Sequence, residues 1–533
     1  MLRATRFVLL FCLSAPAMPL AAQHDEPGGR HAHAPTLGTV VFPNSGNATA
    51  QPSFLRGIAL LHSFEYEESA EALRQAQEAD PAFALAYWGE ALTYSHVLWR
   101  TEDLEASRAA LRRLAPTGPE RLAKAGTARE RSFGEAVEAF YAEGTLADRI
   151  QAYAAAMRRH AHGAEQDHEA AAFAAHALLL NAYVGDRGNA ESLTREAIAL
   201  AQRVAQANPN HPGAAHYLIH AYDTPGMAAE GLPFARAYDQ IAPDAEHALH
   251  MPSHIYLQLG LWQDVVRSNE RAWAASRAAS SPDWHAFAWL QYGYLQQGRW
   301  AAARGLIDTV AVVLDGRAGY ADAAFVLPRL EFQYAAETGK WQRPVTPPRP
   351  ASAEPASDRE RAFRASARYW LAVDAVQRKT PDMETLAAPF VASADSVRAG
   401  GAGPAPGPAA NALTIAALAA GARGDTAARR RALQAATEQE RRLTAFVGPP
   451  ERVFALELLG AELHAEGEYA EAARAFEAVL QVCPNRSQSL FGLARAHVAA
   501  GNRVRAAGVL GTLRENWARA DPEVLALLES KSR

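Results

Sequence analysis

The chain has 533 residues, of which 49% are hydrophobic and 21% are charged, and its formal net charge at pH 7 is −5. This composition is typical of a folded chain with a large apolar core, and it excludes an intrinsically disordered protein and a polytopic membrane protein. The slightly acidic balance gives no electrostatic reason to expect nucleic-acid binding.

Residues 1–22 have the organisation of a cleaved signal peptide. The stretch opens with Arg3 and Arg6, continues as an apolar run to Leu20, and ends in small residues suited to cleavage. The run is too short and too interrupted by proline for a membrane-spanning helix. We therefore expect an exported protein, periplasmic or secreted, with no integral membrane anchor after cleavage. Cleavage leaves only Cys483 of the two cysteines, and hence no intramolecular disulfide.

Residues 53–342 predict an array of helical hairpins, preceded by a flexible segment at 23–52. Apolar residues follow a helical period in this Ala-, Leu- and Glu-rich sequence, and the alternation typical of strands is scarce. Pro209 and Pro243 are separated by 34 residues, which is the period of the tetratricopeptide repeat (TPR). The fold class that we predict is an all-α TPR superhelix, or solenoid.

Histidines are concentrated between residues 211 and 285, where seven of the chain's 18 occur. With Pro209 and Pro243 placed at position 32 of the repeat, these histidines recur at equivalent positions. Position 5 holds His216 and His250, position 9 holds His220 and His254, position 2 holds His247 and His285, and position 12 holds Asp223.

The recurrence predicts a transition-metal site in the concave groove of the array. Positions 2, 5, 9 and 12 of the first helix of a TPR face that groove, and neighbouring first helices pack roughly 8–10 Å apart. Imidazole and carboxylate ligands suit Zn, Cu or Fe. The predicted ligands, which form one four-ligand site or two sites that share Asp223, are His216, His220, Asp223, His247, His250 and His254. Pro252 interrupts this helical pattern and would place His247 and His250 in a turn if the helix started there.

Other residues are predicted to line the groove or to bind its ligand. They are His285, His211, His96, His62 and Trp88. For His62 and His96, which are 34 residues apart, packing between repeats is an alternative, and Trp88 fits the core as well as a groove wall. A metal-free polar groove for a peptide or an anionic ligand, and plain structural packing, remain open for the whole set.

Two Pro-, Ala- and Gly-rich stretches divide the rest of the chain. Residues 343–358 predict a linker, and residues 359–440 a middle helical segment that is broken at 399–410. The stretches 343–358 and 399–410 contain too few large apolar residues to bury a core, and their composition is typical of linkers.

The C-terminal block, residues 441–533, has the clearest repeats. Two units are predicted, at about 453–486 and 487–520, with Gly501 following Gly467 after 34 residues. Small residues at equivalent positions let the two helices of a unit approach closely.

The sequence from LGTVVFPNSGNATAQPSFLRGIALLHSFEYEESAEALRQ to AYWGEALTYSHVLW resembles the opening of a family of bacterial exported TPR proteins without settled function. The stretches NHPGAAHYLIHAYD and HALHMPSHIYLQLGLWQDVVRSN resemble the internal motifs of that family. The resemblance covers residues 37–310. It implies a TPR superhelix and export, and it brings neither an activity nor a set of ligands.

Three functions are compatible with these features. The first is an exported binding or scaffold module with a metal in its groove and a protein or peptide partner. The second is a metal-dependent hydrolase or oxidase that uses the same cluster, with Asp223, Asp244 or Glu246 as general base. The third is a metal-free peptide-binding scaffold for envelope assembly. The motifs HExxH, GxSxG, the P-loop and GxGxxG are absent from the sequence, so we expect no nucleotide or flavin.

Overall fold

The computed structural model describes residues 35–99, 101–278, 282–316, 321–347, 358–399, 405–444, 446 and 448–530. The predicted signal peptide lies outside these described residues. From Thr36 onward, the chain belongs to one compact unit.

The described residues are mainly α-helical. The helices as far as the histidine-rich region are α1 (Gln51–His62), α2 (Tyr66–Ala79), α3 (Ala84–Leu92), α4 (Leu104–Leu114), α5 (Gly118–Leu122), α6 (Ala128–Phe140), α7 (Leu146–Gly163), α8 (His168–Leu180), α9 (Ala190–Ala207), α10 (Pro212–Tyr222), α11 (Ala228–Ile241), α12 (Glu246–His250), α13 (Pro252–Gln258), α14 (Trp262–Ala278) and α15 (Trp284–Gln296). A π-helical turn, Asn181–Gly185, follows α8. Two short strands, β1 (Ser95–His96) and β2 (Thr101–Glu102), pair antiparallel after α3.

The remaining helices are α16 (Trp300–Gly316), α17 (Ala321–Thr338), α18 (Asp358–Arg378), α19 (Met383–Arg398), α20 (Pro406–Ala422), α21 (Thr426–Glu440), α22 (Ala455–Ala465), α23 (Tyr469–Val482), α24 (Ser487–Ala499), α25 (Arg503–Asn516) and α26 (Pro522–Ser530). Helices that follow one another in sequence pack against each other as hairpins, for example α1 with α2, α10 with α11, and α22 with α23. This succession of stacked hairpins confirms the predicted all-α solenoid.

Small residues set the close approach of the two helices in a hairpin. A Cβ atom built on Gly460 of α22 would lie 2.8 Å from the ring of Phe476 on α23. The aromatic ring therefore fills the space that the glycine leaves open, as the repeat pattern predicts.

The expectation of a flexible segment at 23–52 is wrong for residues 36–50. Leu37 and Phe42 are buried in the main apolar core. The backbone N–H of Thr39 donates to the carbonyl oxygen of Asn210 at 2.8 Å, and Asn208 Nδ2 donates to the carbonyl of Thr39 at 2.8 Å. Two buried apolar side chains and these hydrogen bonds hold the segment on the helices.

The two predicted breaks are shorter in the structure than in the sequence pattern. Val345 is buried, and the backbone N–H of Thr346 donates to Glu331 Oε2 at 2.6 Å, so the start of the predicted linker packs on α17. Residues 348–357 and 400–404 lie outside the described residues. The helix α20 starts at Pro406, inside the predicted break at 399–410, because proline is accepted in the first turn of a helix and the following alanines are buried.

The C-terminal repeats pack directly on the histidine-bearing half of the chain. Trp262 Nε1 donates to the carbonyl oxygen of Asn485 at 2.8 Å. Arg486 is buried, and it donates to Glu337 Oε1 at 2.5 Å and to the hydroxyl of Tyr292 at 3.1 Å. The C-terminal repeats are therefore fixed to α14, α15 and α17 by buried polar contacts.

Candidate metal centre

Four helices carry the histidines of positions 2, 5 and 9. The pair His216 and His220 lies on α10, and α12 carries His247 and His250. The next two histidines are His254 on α13 and His285 on α15.

Pro252 divides the second of these helical segments without separating its histidines. The proline is the first residue of α13, where its missing N–H is not needed. Met251, between α12 and α13, keeps helical backbone angles of φ −54° and ψ −35°. His250 and His254 therefore stay one helical turn apart on the same face.

The first histidine triad consists of His216, His220 and His247. Each residue offers one ring nitrogen, and the three nitrogens lie within 4.8 Å of one another. The Nε2 atom of each ring is buried and has no hydrogen-bond partner among the described residues. A buried nitrogen without a partner carries a desolvation cost of about 1–3 kcal/mol, so three of them in one triad are a costly arrangement for packing alone.

Neighbouring groups hold these rings in the tautomer and charge state that a metal ion would require. His216 Nδ1 donates to the carbonyl oxygen of His62 at 2.7 Å, which leaves the lone pair on Nε2. Burial, followed by the neighbouring His254, lowers the pKa of His220 to about 3. Burial also lowers the pKa values of His216 and His247 well below the ordinary range. The three rings are therefore neutral at pH 7, which is the form that binds a metal.

The second histidine triad consists of His250, His254 and His285, whose ligand nitrogens also lie within 4.8 Å of one another. The Nε2 atoms of His250 and His254 are 3.2 Å apart. His250 Nδ1 donates to Asn269 Oδ1 at 2.6 Å, and the Nδ2 group of that amide donates to the carbonyl of Val265 at 2.8 Å.

The tautomers of this pair place two lone pairs against each other. His254 Nδ1 donates to Asp223 Oδ2 at 2.8 Å, as His250 Nδ1 does to Asn269. Both Nδ1 atoms thus hold the ring protons, and both Nε2 lone pairs face the 3.2 Å gap. Such a pair is repulsive unless a cation, a metal ion or a proton, is shared between them.

Asp223 and His285 exchange the roles that the sequence indicated. Asp223 was predicted as a ligand, but it belongs to neither triad and instead accepts hydrogen bonds from His254 and from Gln258 Nε2, the latter at 2.8 Å. Its place as the C-cap of α10 turns the carboxylate toward α13. His285, predicted only to line the groove, is brought into the second triad. The structure thus presents two triads rather than one four-ligand site.

The expected open groove is covered at these histidines by aromatic side chains. The ring of Phe64 lies 4.3 Å from that of His216 and 5.6 Å from that of His247, and Trp289 lies 4.3 Å from His254 (centroid distances). Phe64 has φ 59°, in the left-handed region that aromatic residues rarely adopt. Strain of this kind is concentrated at functional sites, and here it places the ring against the first triad.

A third group of metal-ligating side chains, His62, Glu169 and His211, is fully satisfied by hydrogen bonds. The carboxylate of Glu169 accepts from Nε2 of His62 at 2.9 Å and from Nε2 of His211 at 3.1 Å. The Nδ1 atoms accept from the hydroxyl of Tyr217 at 2.8 Å and from the N–H of Ala214 at 3.1 Å. With no nitrogen lone pair left, this group is a buried structural network, and His62 and His211 do not line a groove.

The other groove candidates lie apart from the triads. Trp88 is buried in the core and is 1% exposed. His96 belongs to β1, stacks on Tyr66 at 4.1 Å and donates from Nε2 to the carbonyl of Thr93 at 2.8 Å.

The proposed general bases differ in their surroundings. Asp244 is exposed and accepts from the N–H of Thr36 at 2.6 Å. Burial, followed by the charge of Asp283, raises the pKa of Glu246 to about 9. Sequence reasoning missed a nearby carboxyl, Glu65, which accepts from the N–H of His247 at 2.8 Å and has a pKa raised by burial to about 8.

Phe64, Glu65, Asn269 and Gln258 were also missed as neighbours of the triads. None of them recurs at a repeat position, so the 34-residue period gives no signal for them. The αL turn that holds Phe64 lacks the glycine or asparagine that usually marks such a turn.

Among the described residues, no helix combines the length and the apolar character needed to cross a membrane. No curated protein matches the chain. Solved structures of repeat proteins are similar to the chain at low identity, and two of them serve as examples. The TPR domain of P58(IPK) is 13% identical, with 86% of this chain and 99% of that chain covered and a TM-score of 0.19. A circular tandem repeat protein with novel repeat topology is 15% identical, with 91% and 99% covered and a TM-score of 0.13.

The family comparison falls on the C-terminal repeats. The tetratricopeptide repeat family model matches residues 463–530, which include α23, α24 and α25. Together with the stacked hairpins described above, this match identifies the fold as an all-α TPR solenoid.

Proposed function

We propose that this protein is an exported TPR binding module that holds a transition-metal ion in the first histidine triad. Two observations carry the proposal: His216, His220 and His247 each bring one ring nitrogen within 4.8 Å of the others, and their Nε2 atoms are buried with no hydrogen-bond partner among the described residues. A bound cation would satisfy the three lone pairs at once.

The donor set supports a borderline or soft metal ion. Three neutral imidazoles suit Zn, Cu, Fe or Ni, whereas Mg and Ca require oxygen ligands, which the triad does not offer. Three protein ligands also leave a coordination position for a further ligand. The carbonyl of His62, which fixes the ring of His216, is the kind of outer contact that orients metal-bound imidazoles.

Export and a partner are parts of the same proposal. Residues 1–22 support export through their basic start, apolar run and small-residue end. TPR arrays generally present surfaces for protein or peptide partners, which supports a binding role for the scaffold.

The test is metal analysis of untagged protein, as isolated and after exposure to Zn or Cu. We expect bound metal in the wild type and loss of the first-triad ion in His220→Ala. His162→Ala is the matched control, because His162 is an exposed histidine on α7, and it should keep the wild-type metal content. A wild type that retains no metal and takes up neither ion would overturn the proposal and favour a metal-free scaffold.

A further inference from the structure

The two histidine triads have the same construction, displaced by one hairpin. Each contains a pair of histidines four residues apart, His216 with His220 on α10, and His250 on α12 with His254 on α13, where Met251 continues the helical turn. The third member comes from the next first-helix segment at repeat position 2, His247 or His285. Equivalent construction predicts equivalent ligand geometry at both triads.

The triads also meet each other. The short helix α12 supplies His247 to the first triad and His250 to the second, and these two rings are 5.9 Å apart. His220 and His254 make a second link between the triads, also at 5.9 Å between ring centroids. Ions held in the two triads would therefore occupy adjacent sites whose ligand rings contact each other.

The total positive charge of two bound ions limits which metal can occupy both triads. The six ligands are all imidazoles, which bring no negative charge, so two divalent ions would bring four positive charges into a buried region. Carboxyls beside the ligands are Asp223, bonded to His254, Glu65, which accepts from the backbone N–H of His247, and Glu246, the preceding residue in the sequence. Two Cu(I) ions bring only two charges, and imidazole is a good ligand for copper in both of its common oxidation states.

We propose that the two triads hold two copper ions as one centre, and that dioxygen binds between them. The inference rests on the proposed function and extends it to a second triad and to a ligand. Each Cu(I) gives one electron to dioxygen, which becomes bound peroxide between two Cu(II) ions. The oxygen–oxygen bond order falls from two to one, no proton is taken up, and release of dioxygen returns both electrons.

The aromatic side chains that pack on the two triads are compatible with dioxygen as the ligand. Phe64 and Trp289 pack on one triad each, and Trp99 lies 5.5 Å from His247. These rings limit the access of bulk water to the histidines, whereas dioxygen is small and apolar.

The experiment loads the full-length apoprotein with Cu(I) under anaerobic conditions, counts the copper, and then admits dioxygen. We expect two copper ions per chain, one dioxygen taken up per pair, new near-ultraviolet charge-transfer absorption and Cu(II) without an EPR signal, because the two spins couple. His220→Gln and His285→Gln should each keep one copper ion and lose dioxygen uptake. His162→Gln should match the wild type, and circular dichroism verifies that each variant is folded.

The outcomes separate the two proposals. Two copper ions that give full EPR signals on oxidation and take up no dioxygen would overturn this inference and leave metal binding by the first triad intact. A single ion that His285→Gln does not remove would do the same. Absence of any bound metal in the folded wild type would overturn both.

Discussion

The carboxylate of Asp223 uses one oxygen for His254 Nδ1, at 2.8 Å, and the other for Gln258 Nε2, also at 2.8 Å. This division fixes both the orientation and the tautomer of His254, whose Nε2 then faces His250. Asp223 is therefore a positioning residue for the second triad.

Replacing Asp223 by asparagine should weaken the second triad selectively. An amide replaces one of the two carboxylate oxygens by an N–H₂ group, so it presents a donor instead of an acceptor to either His254 or Gln258. In a His220→Gln background, where only the second triad is complete, we expect Asp223→Asn to reduce copper affinity about 10–100-fold. In a His285→Gln background the affinity should not change. Competition with a copper-binding dye measures both, and Asp244→Asn, at an exposed carboxylate, is the control. Equal losses in the two backgrounds would contradict the assigned role.

Replacing Glu169 by glutamine should lower stability and leave metal binding intact. Burial opposes the charge of Glu169, but His211 and His62 lower its pKa, so the carboxylate accepts both Nε2–H groups. Glutamine presents an N–H₂ group to one of these donors, at a cost of about 1–3 kcal/mol. Urea denaturation measures the change in the free energy of unfolding, with the exposed Glu165→Gln as control. A loss of metal without a loss of stability would instead make this group a metal site.

Arg486→Met should destabilise the junction between the C-terminal repeats and the rest of the chain. The guanidinium is 1% exposed and pairs with Glu337 and Glu457. Removing the cation leaves the buried carboxylate of Glu337 uncompensated, and such changes cost about 3–5 kcal/mol. Arg474→Met removes an exposed pair with Glu471 and should cost less than about 1 kcal/mol. Similar losses in both variants, measured by denaturation, would argue against a buried junction.

Glu440 should make stability fall as the pH rises. Its side chain is buried at the start of α22, where it accepts N–H groups of Ala455 and Leu456. Burial raises the pKa of this carboxyl from 4.5 to about 7, against the lowering effects of the Leu456 N–H and Arg452. Between pH 4.5 and pH 7, the carboxyl of Glu440 is ionised in the unfolded chain but still protonated in the folded chain. The stabilising contribution is complete below pH 4.5 and is lost as the pH passes 7.

The comparison of wild type with Glu440→Gln tests this dependence. Denaturation across the same pH range should show a wild-type free energy of unfolding that declines by at most about 1.4 kcal/mol per pH unit relative to the variant. Parallel pH profiles would show that Glu440 is ionised throughout the range.

The repeat period was enough to predict the helical hairpins and to predict that histidines from successive repeats lie close together. Residues 34 apart occupy equivalent places, so His216 with His250 and His220 with His254 come to lie on successive first helices. Periodicity shows which face of a helix a side chain occupies, and that part of the site follows from sequence.

The same reasoning could not show what lies opposite that face. Phe64 covers the first triad only because its backbone adopts an unusual turn conformation. Asn269, which accepts the hydrogen bond from His250 Nδ1, lies on α14 at a position that has no counterpart in other repeats. The network around Glu169 joins residues more than 100 positions apart, His62 among them. Such contacts depend on the tertiary packing of hairpins, which a local pattern does not encode.

The displacement of one triad from the other by a single hairpin makes the ligand set modular. Each triad consists of a pair of histidines in one repeat and a third histidine in the next. Gain or loss of one repeat by recombination would therefore add or delete a whole unit and leave its neighbour complete. Duplication of about 34 residues in a chain with one triad would therefore produce a second triad, without any new side-chain arrangement having to arise.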